Sequence, residues 1–276
     1  MSNRLIGYQS GQGFLYGLSS ASKMIFFILV SVACMATYDP RFILVIGFLS
    51  IYLFKRADIR WKDVSFVVEI IGAVALFNLV MVYLFDPSYG EEIYGAKTIL
   101  VEGWGRFYLT SQELFYLVNL LLKYFSTAPL AILFLMTTHP SQFAASLNQI
   151  GLPYKFAYSV SLTLRYIPDV QEEFFTIRKA QEARGLDLSK KAGLVKRIRG
   201  NLQIVLPLIF SSLERIDNIS TAMELRRFGR YKKRTWYVHK SFTKQDYLVI
   251  LLAFLLLGIS IGLILLNQGR FYNPWL

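Results

Sequence analysis

The sequence predicts an all-α integral membrane protein: about five transmembrane helices, with long amphipathic cytoplasmic helices inserted before the last span. Three observations carry this. Of 276 residues, 54% are hydrophobic and 16% aromatic, and only 17% are charged, whereas an ordinary soluble domain carries roughly 25% charged residues. The apolar residues gather into runs long enough to cross a hydrocarbon core of about 30 Å. The formal charge of +12 is also concentrated, because positions 140–244 hold 19 Lys and Arg against 8 Asp and Glu. A basic block of that kind belongs outside the lipid.

The first apolar run, 24–38, follows Lys23, and Ser31-Val32-Ala33-Cys34 within it resembles a degraded lipoprotein cleavage box. A second run, 42–54, begins after only the turn-forming Tyr38-Asp39-Pro40-Arg41. The two therefore read as a helical hairpin in the membrane rather than as a signal peptide. The third run, 64–85, extends about 33 Å as a helix. The fourth covers 114–138, and the last, 247–266, has no charge and a Leu-rich centre. The chain thus divides into an N-terminal membrane region (1–138), a cytoplasmic helical region (139–244) and a final span with its tail (245–276).

Basic residues between spans set the orientation. Lys55, Arg56, Arg60 and Lys62 fill the loop between the second and third spans, and the basic block separates the fourth from the fifth. Both belong in the cytoplasm, with the N-terminus (Arg4 included) inside and the C-terminus outside. The loop 86–110, with Asp86, Glu91, Glu92 and Glu102 against Lys97 and Arg106, suits the outer face. Inside the spans, Glu69, Asn78 and Lys123 need partners that lipid does not offer. Asn78 and Lys123 fall at similar depths and are expected to form a polar clamp between packed helices.

One cysteine, Cys34, excludes an intramolecular disulfide and a thiolate metal site, and two histidines, His139 and His239, make a protein-only zinc centre implausible.

In the basic block, His139-Pro140-Ser141 starts a short amphipathic helix over 142–150, closed by Gly151-Leu152-Pro153. An apolar stretch, 154–166, leads to Arg165 and Pro168, and a charged one, 170–186, stops at Gly185. A third stretch runs from about Ala192 to Phe228, basic through Lys196, Arg197 and Arg199, then apolar over 204–213, where Pro207 is expected to kink it. A run of ten residues is too short to span, so this part suits a membrane surface or a partner's membrane helices. Arg230, Lys232, Lys233 and Arg234 mark the return to the headgroups.

Two of these stretches end alike, 42 residues apart: Glu182-Ala183-Arg184-Gly185-Leu186 and Glu224-Leu225-Arg226-Arg227-Phe228. A helix end that presents one guanidinium among small or apolar residues suits a groove on another protein, where Arg makes forked hydrogen bonds. Two such ends imply two receptors.

The order 140–147, Gly151-Leu152-Pro153, Leu164-Arg165-Tyr166-Ile167-Pro168 and Ala180-Gln181-Glu182-Ala183-Arg184-Gly185 resembles the T component of energy-coupling factor transporters, the transmembrane coupling subunit of that vitamin and metal uptake family. The resemblance is close in the cytoplasmic region and looser over the five-span plan. It implies two Ala-Arg-Gly-type motifs on coupling helices, each engaging one of two ATP-binding cassette subunits, with Arg184 and Arg226 at the matching positions. It implies that ATP and Mg are bound by those ATPases and that no cofactor is bound by this chain. It further implies a small substrate-binding membrane protein, the S component, cradled by the same helices; Phe143, Leu147, Leu164, Ile204, Leu208 and Phe210 are the residues expected to meet it or the lipid. The location implied is a prokaryotic plasma membrane. The second motif departs from the pattern, with Leu225 for Ala and Arg227 for Gly, and Leu18-Ser19-Ser20-Ala21-Ser22-Lys23 lacks the Asp-Pro-Arg that precedes the first span in many members.

Other classes fit less well. No Gly-rich phosphate loop ending in Gly-Lys-Ser or Gly-Lys-Thr is present, so ATP hydrolysis is expected elsewhere. A membrane-embedded lipid-modifying enzyme calls for clustered carboxylates or histidines; Glu172-Glu173 is the nearest candidate, and adjacent helix positions point about 100° apart. A stand-alone carrier is expected to show internal repeats, and none is evident. Nucleic-acid binding lacks interleaved aromatics and a folded module.

Overall fold

The computed structural model describes residues 11, 13–101, 107–186, 193–231, 234–238 and 240–275, excepting the side chains of 194–197 and 199. Arg4, Glu102, Arg106, Ala192, Lys232, Lys233 and His239, and the side chains of Lys196, Arg197 and Arg199, lie outside what is described.

Polar side-chain caps start most of the membrane helices. After the single turn α1 (Phe14–Gly17), the Ser19 side chain accepts from the Ala21 N–H to start α2 (Ser20–Ala36), and Asp39 accepts from the Arg41 N–H ahead of Pro40 to start α3 (Pro40–Arg56). Helix α4 (Trp61–Phe85) follows, then α5 (Tyr89–Tyr94), a hairpin of β1 (Ile99–Val101) and β2 (Leu109–Thr110), and α6 (Ser111–Thr137), which the Thr110 side chain caps. The last membrane helix, α10 (Lys244–Leu266), opens with a capping box between Thr243 and Asp246. Each helix starts a few residues before its apolar run because its polar first turn is already helical.

Helices α4, α6 and α10, of 25, 27 and 23 residues, are long and apolar enough to cross a membrane. Helices α2 and α3 have 17 residues each, or about 25 Å, the short end of the spanning range. The chain divides into two compact units, Met1–His139 with Lys240–Leu276, and Pro140–His239.

In the first unit α6 is central, packed by α2, α3, α4 and α5, while α10 packs on α2. Small residues bring the helices close. The Ser260 hydroxyl of α10 donates to the Ala33 carbonyl of α2 at 3.0 Å, and Ser126 of α6 donates to the Ile43 carbonyl of α3 at 2.7 Å. Val30, Ala33 and Cys34 of α2 form one core with Phe42 and Ile46 of α3, Leu130 of α6, and Ala253 and Leu256 of α10.

Lys123 has partners other than the expected Asn78. Its ammonium donates to the Met35 carbonyl at 3.0 Å and lies 3.1 Å from the Tyr38 ring centroid. The buried stripe Gln112, Tyr116, Asn119, Lys123 and Ser126 recurs at helical spacing; Lys123 and Ser126 in it bond to the α2 and α3 backbones, whereas Asn78 is on α4. The described parts of segment 86–110 also form more than a loop, with α5, β1 and β2. The Gly90 N–H donates to Glu113 at 2.8 Å, and a Cβ at Gly90 would stand 2.5 Å from the Glu113 nitrogen, so α5 rests directly on the α6 backbone.

The first unit is tied at both ends. At the end where α2 and α10 start, the buried Asp246 carboxylate accepts from the Ser19 N–H (2.7 Å), the Ser22 hydroxyl (2.6 Å), and the Thr243 N–H and hydroxyl (2.8 and 2.6 Å). At the other end the Tyr38 N–H donates to the Arg270 carbonyl at 2.7 Å, and Asn267 donates to Asp39 at 3.2 Å.

Candidate functional site

The second unit consists of α7 (Pro140–Gln149), α8 (Tyr154–Ala183) and α9 (Leu194–Leu225). Helix α7 stops where Gly151 takes a left-handed φ of 107° and the Leu152 N–H returns to the Leu147 carbonyl at 3.1 Å. Stretches 154–166 and 170–186, distinguished in the sequence by composition, belong to one 30-residue helix with Pro168 inside it, as Pro207 lies inside α9. Both prolines are exposed, so each ring, and its one missing N–H, falls on the outer face of its helix.

Helices α8 and α9 run in opposite directions across each other. Phe228, just past α9, packs its ring on Tyr158 and Tyr154 at the start of α8, with centroids 4.8 and 5.7 Å apart. Further along, the Glu173 carboxylate of α8 accepts from Arg215 of α9 at 2.5 Å and from the Ser211 hydroxyl. Glu173 is half-buried in this pin while Glu172 is exposed, so the adjacent carboxylates separate as the helix geometry requires.

The two Arg-bearing ends have one local geometry. Arg184 and Arg226 are the C-caps, at φ −84°, ψ 9° and φ −84°, ψ 13°. Gly185 and Arg227 then turn left-handed, at φ 89° and 56°. The Leu186 N–H bonds back to the Gln181 carbonyl at 3.1 Å, and the Phe228 N–H to the Met223 carbonyl at 2.9 Å. This closing turn satisfies carbonyls that a helix end otherwise leaves open. It leaves Glu182, Ala183, Arg184 and Gly185 exposed at the first end, and Glu224, Leu225, Arg226 and Arg227 exposed at the second. Glu182 also pairs with Arg178 at 2.9 Å.

Each cap lies 11 residues beyond the Glu173–Arg215 pin, about 16 Å along a helix. Because the helices are antiparallel there, the two ends lie on opposite sides of the pin, roughly 30 Å or more apart if both legs are straight. One arm of the pair thus presents one guanidinium, and the other arm presents the second.

A single domain-sized model, described as "Cobalt transport protein" (CbiQ), matches residues 12–237. The chain belongs to the CbiQ family. The energy-coupling factor transporter transmembrane protein EcfT of Exiguobacterium sibiricum is 28% identical over 266 residues, covering 92% of this chain and 94% of its own. The EcfT of Brevibacillus brevis is 28% identical over 267 residues, covering 93% and 96%. That of Acidaminococcus fermentans is 31% identical over 198 residues, covering 67% and 71%. This CbiQ-family chain is therefore a transmembrane component of an energy-coupling factor transporter, as the resemblance of its sequence implied.

The apolar residues expected to face a partner or lipid are spread over this family member's second unit. Phe143 and Leu147 on α7, Leu164 on α8 and Leu208 on α9 are half-buried, and Phe210 is 67% exposed. Ile204 is different: it is fully buried and offers no outward face. It shares a helical stripe with Leu208, Ser211 and Arg215, the last two of which turn to α8. The exposed apolar face of α9 is instead built from Leu202, Leu206, Ile209, Phe210, Leu213 and Ile216. Among the described residues, no three His, Cys, Asp or Glu side chains gather closely enough to hold a metal ion.

The Glu173–Ser211–Arg215 pin escapes sequence reasoning, since nothing short of the crossing itself pairs those positions. The Asp246 clamp has a partial signal, the Thr243-x-x-Asp246 spacing of a capping box.

Proposed function

We propose that this chain is the coupling subunit of an energy-coupling factor importer. Its two exposed helix ends, centred on Arg184 and Arg226 with Ala183, Gly185, Leu225 and Arg227 around them, each dock into a groove on one of two ATP-binding cassette subunits. Glu182 and Glu224 support the ends from the last helical turn. ATP and Mg are bound in those ATPases, and this chain is non-catalytic and binds no cofactor. Closure of the ATPases on ATP moves the two arms about their crossing. The apolar faces of α7, α8 and α9 pass that motion to a small membrane S component, which carries a vitamin, a vitamin precursor or a metal ion. The N-terminus and the helical ends of the second unit lie in the cytoplasm, and the C-terminus lies outside.

The observation that carries this reading is the repeated closing turn. Two helix ends 42 residues apart hold one backbone geometry and leave one capping Arg exposed on each. A guanidinium fixed on a rigid helix end is well placed for forked bonds to carboxylates or carbonyls in a receptor groove.

The test is co-purification from the native membrane in mild detergent, with radiolabelled uptake measured alongside. The tagged chain is expected to bring down ATPase subunits and a small hydrophobic membrane protein. Arg184→Glu with Arg226→Glu is expected to release the ATPases and abolish uptake while the chain stays in the membrane. Complete assembly and uptake in that double variant would refute the docking role. A lone, monodisperse chain would favour a stand-alone carrier instead.

A further inference from the structure

The membrane unit contains an apolar cavity of about 180 Å³ at the end of the bundle where α2 and α10 begin. It is lined by side chains from α1, α2, α3, α6 and α10, among them Phe14, Phe27, Leu53, Leu133 and Val249; Lys23 and Thr137 are the polar members of the lining. The Thr137 hydroxyl is occupied by the Leu133 carbonyl of its own helix at 2.7 Å. Lys23 is not so fully used. Its side chain is buried, with 8% of the residue exposed, and the ammonium donates to the Thr137 carbonyl at 2.6 Å. An ammonium has three donors, and the other two find no acceptor among the described residues. Donors left open in apolar surroundings are costly unless an acceptor is supplied.

The neighbouring charges do not supply one. Asp246 is close enough to act on Lys23, but its carboxylate is engaged by four donors from Ser19, Ser22 and Thr243. Lys240, also near, adds a second positive charge. The three groups leave this corner with a net positive charge. Leu248 and Leu252 of α10, which also line the cavity, are 63% and 38% exposed on the outside of the bundle.

We propose that this cavity is a binding site for an anionic phospholipid, with part of one acyl chain among the apolar side chains and the phosphate against Lys23. The volume suits a segment of chain rather than a whole one, since an apolar cavity of about 150 Å³ accommodates a molecule of benzene's size. Lys23 lies in the first turn of α2 and Thr137 closes α6, so the cation is at the depth where headgroups lie. A phosphate oxygen there meets the open ammonium donors in a charge-assisted bond, and the chain replaces what would otherwise be empty space.

The test uses the full-length chain reconstituted in vesicles of equal dioleoyl-phosphatidylglycerol and dioleoyl-phosphatidylcholine, extracted in mild detergent, with retained lipid quantified by native mass spectrometry. Wild type is expected to keep one lipid, with phosphatidylglycerol enriched about tenfold over the vesicle ratio. Lys23→Gln is expected to bring the ratio back to that of the vesicle, and Lys23→Arg to preserve the enrichment. Val249→Phe, which fills the cavity and leaves the cation in place, is expected to lose the retained lipid whatever its headgroup. No retained lipid in wild type, or unchanged enrichment in Lys23→Gln, overturns the proposal. Should Lys23→Gln fail to fold, retention of the lipid by Val249→Phe overturns it equally.

Discussion

The Glu173–Arg215 pin fixes how α8 and α9 cross, and breaking it has a calculable effect. The pair is 2.5 Å apart with side chains 34% and 22% exposed for Arg215 and Glu173, and Ser211 adds a second donor to the same carboxylate. A hydrogen bond to a charged group contributes about 1.5–3 kcal/mol, and a solvent-exposed ion pair roughly 0.2–1 kcal/mol. Partial exposure places the pin between them, at about 1–2 kcal/mol. That corresponds to a five- to thirtyfold change in the balance between the pinned and the loosened crossing. The assay is a spin-label distance between cysteines placed at the exposed Lys179 and Ser220, since Cys34, the sole native cysteine, is buried. Glu173→Ala is expected to broaden the distance distribution, and so is Arg215→Ala. The double variant should be little worse than either alone, because both remove one interaction. The swap Glu173→Arg with Arg215→Glu should narrow the distribution again. A narrow distribution in Glu173→Ala, or two single effects that simply add, would refute the pin.

Three further outcomes follow from local geometry. Gly90→Ala drives a Cβ to within 2.6 Å of Glu113 backbone atoms, and the overpacking is expected to cost about 2–3 kcal/mol, read as a lower thermal midpoint in detergent; an unchanged midpoint would count against the close seat of α5 on α6. Gly185→Ala places a Cβ at φ 89°, with a strain of about 1–2 kcal/mol, so exchange of the Leu186 amide should quicken several-fold while amides in the middle of α8 keep their rates. Asp246→Ala strands four donors from Ser19, Ser22 and Thr243, a loss of about 3 kcal/mol or more, and should make the α1–α2 junction sensitive to protease, with Asp246→Asn intermediate; equal resistance in all three proteins would argue against the clamp.

The membrane helices and the two Arg-bearing ends were legible because their signals are local. Apolar run length reports the helices at 64–85, 114–138 and 247–266, and the Gly185 stop reports a left-handed residue at the end of α8. Tertiary pairing was not legible. Lys123 and Asn78 match in depth, yet depth says nothing of azimuth, and Lys123 turns toward Met35 and Tyr38. Pro168 separates an apolar from a charged stretch in the sequence, yet one lost bond on an exposed face does not outweigh a helix continuous on either side. Ile204 looked like part of an exposed apolar run for a related reason: the only polar members of 204–213, Ser211 and Ser212, are adjacent near its end, and the crossing rather than the sequence shows that Ser211 is the one facing α8.

Arg227 raises a last question of balance, since an L-residue in the left-handed region is strained by about 1–2 kcal/mol and the matching position at the first end is Gly185. Among the described residues, the second end has aromatic support just past its cap. Phe228 packs on both Tyr154 and Tyr158, and the Arg234 guanidinium lies 5.3 Å from the Phe228 ring centroid. Aromatic pairs contribute about 0.5–1.5 kcal/mol each beyond the area they bury, enough to offset the strain at the residue before. At the first end the left-handed residue is Gly185, which adopts that conformation without the strain of a Cβ. The second is held closed by its neighbours and so tolerates a side chain at Arg227. Two ends with one backbone geometry therefore present different surfaces, a bare Ala183-Arg184-Gly185 and a bulkier Leu225-Arg226-Arg227, and on the docking reading the two receptor grooves meet unequal ligands.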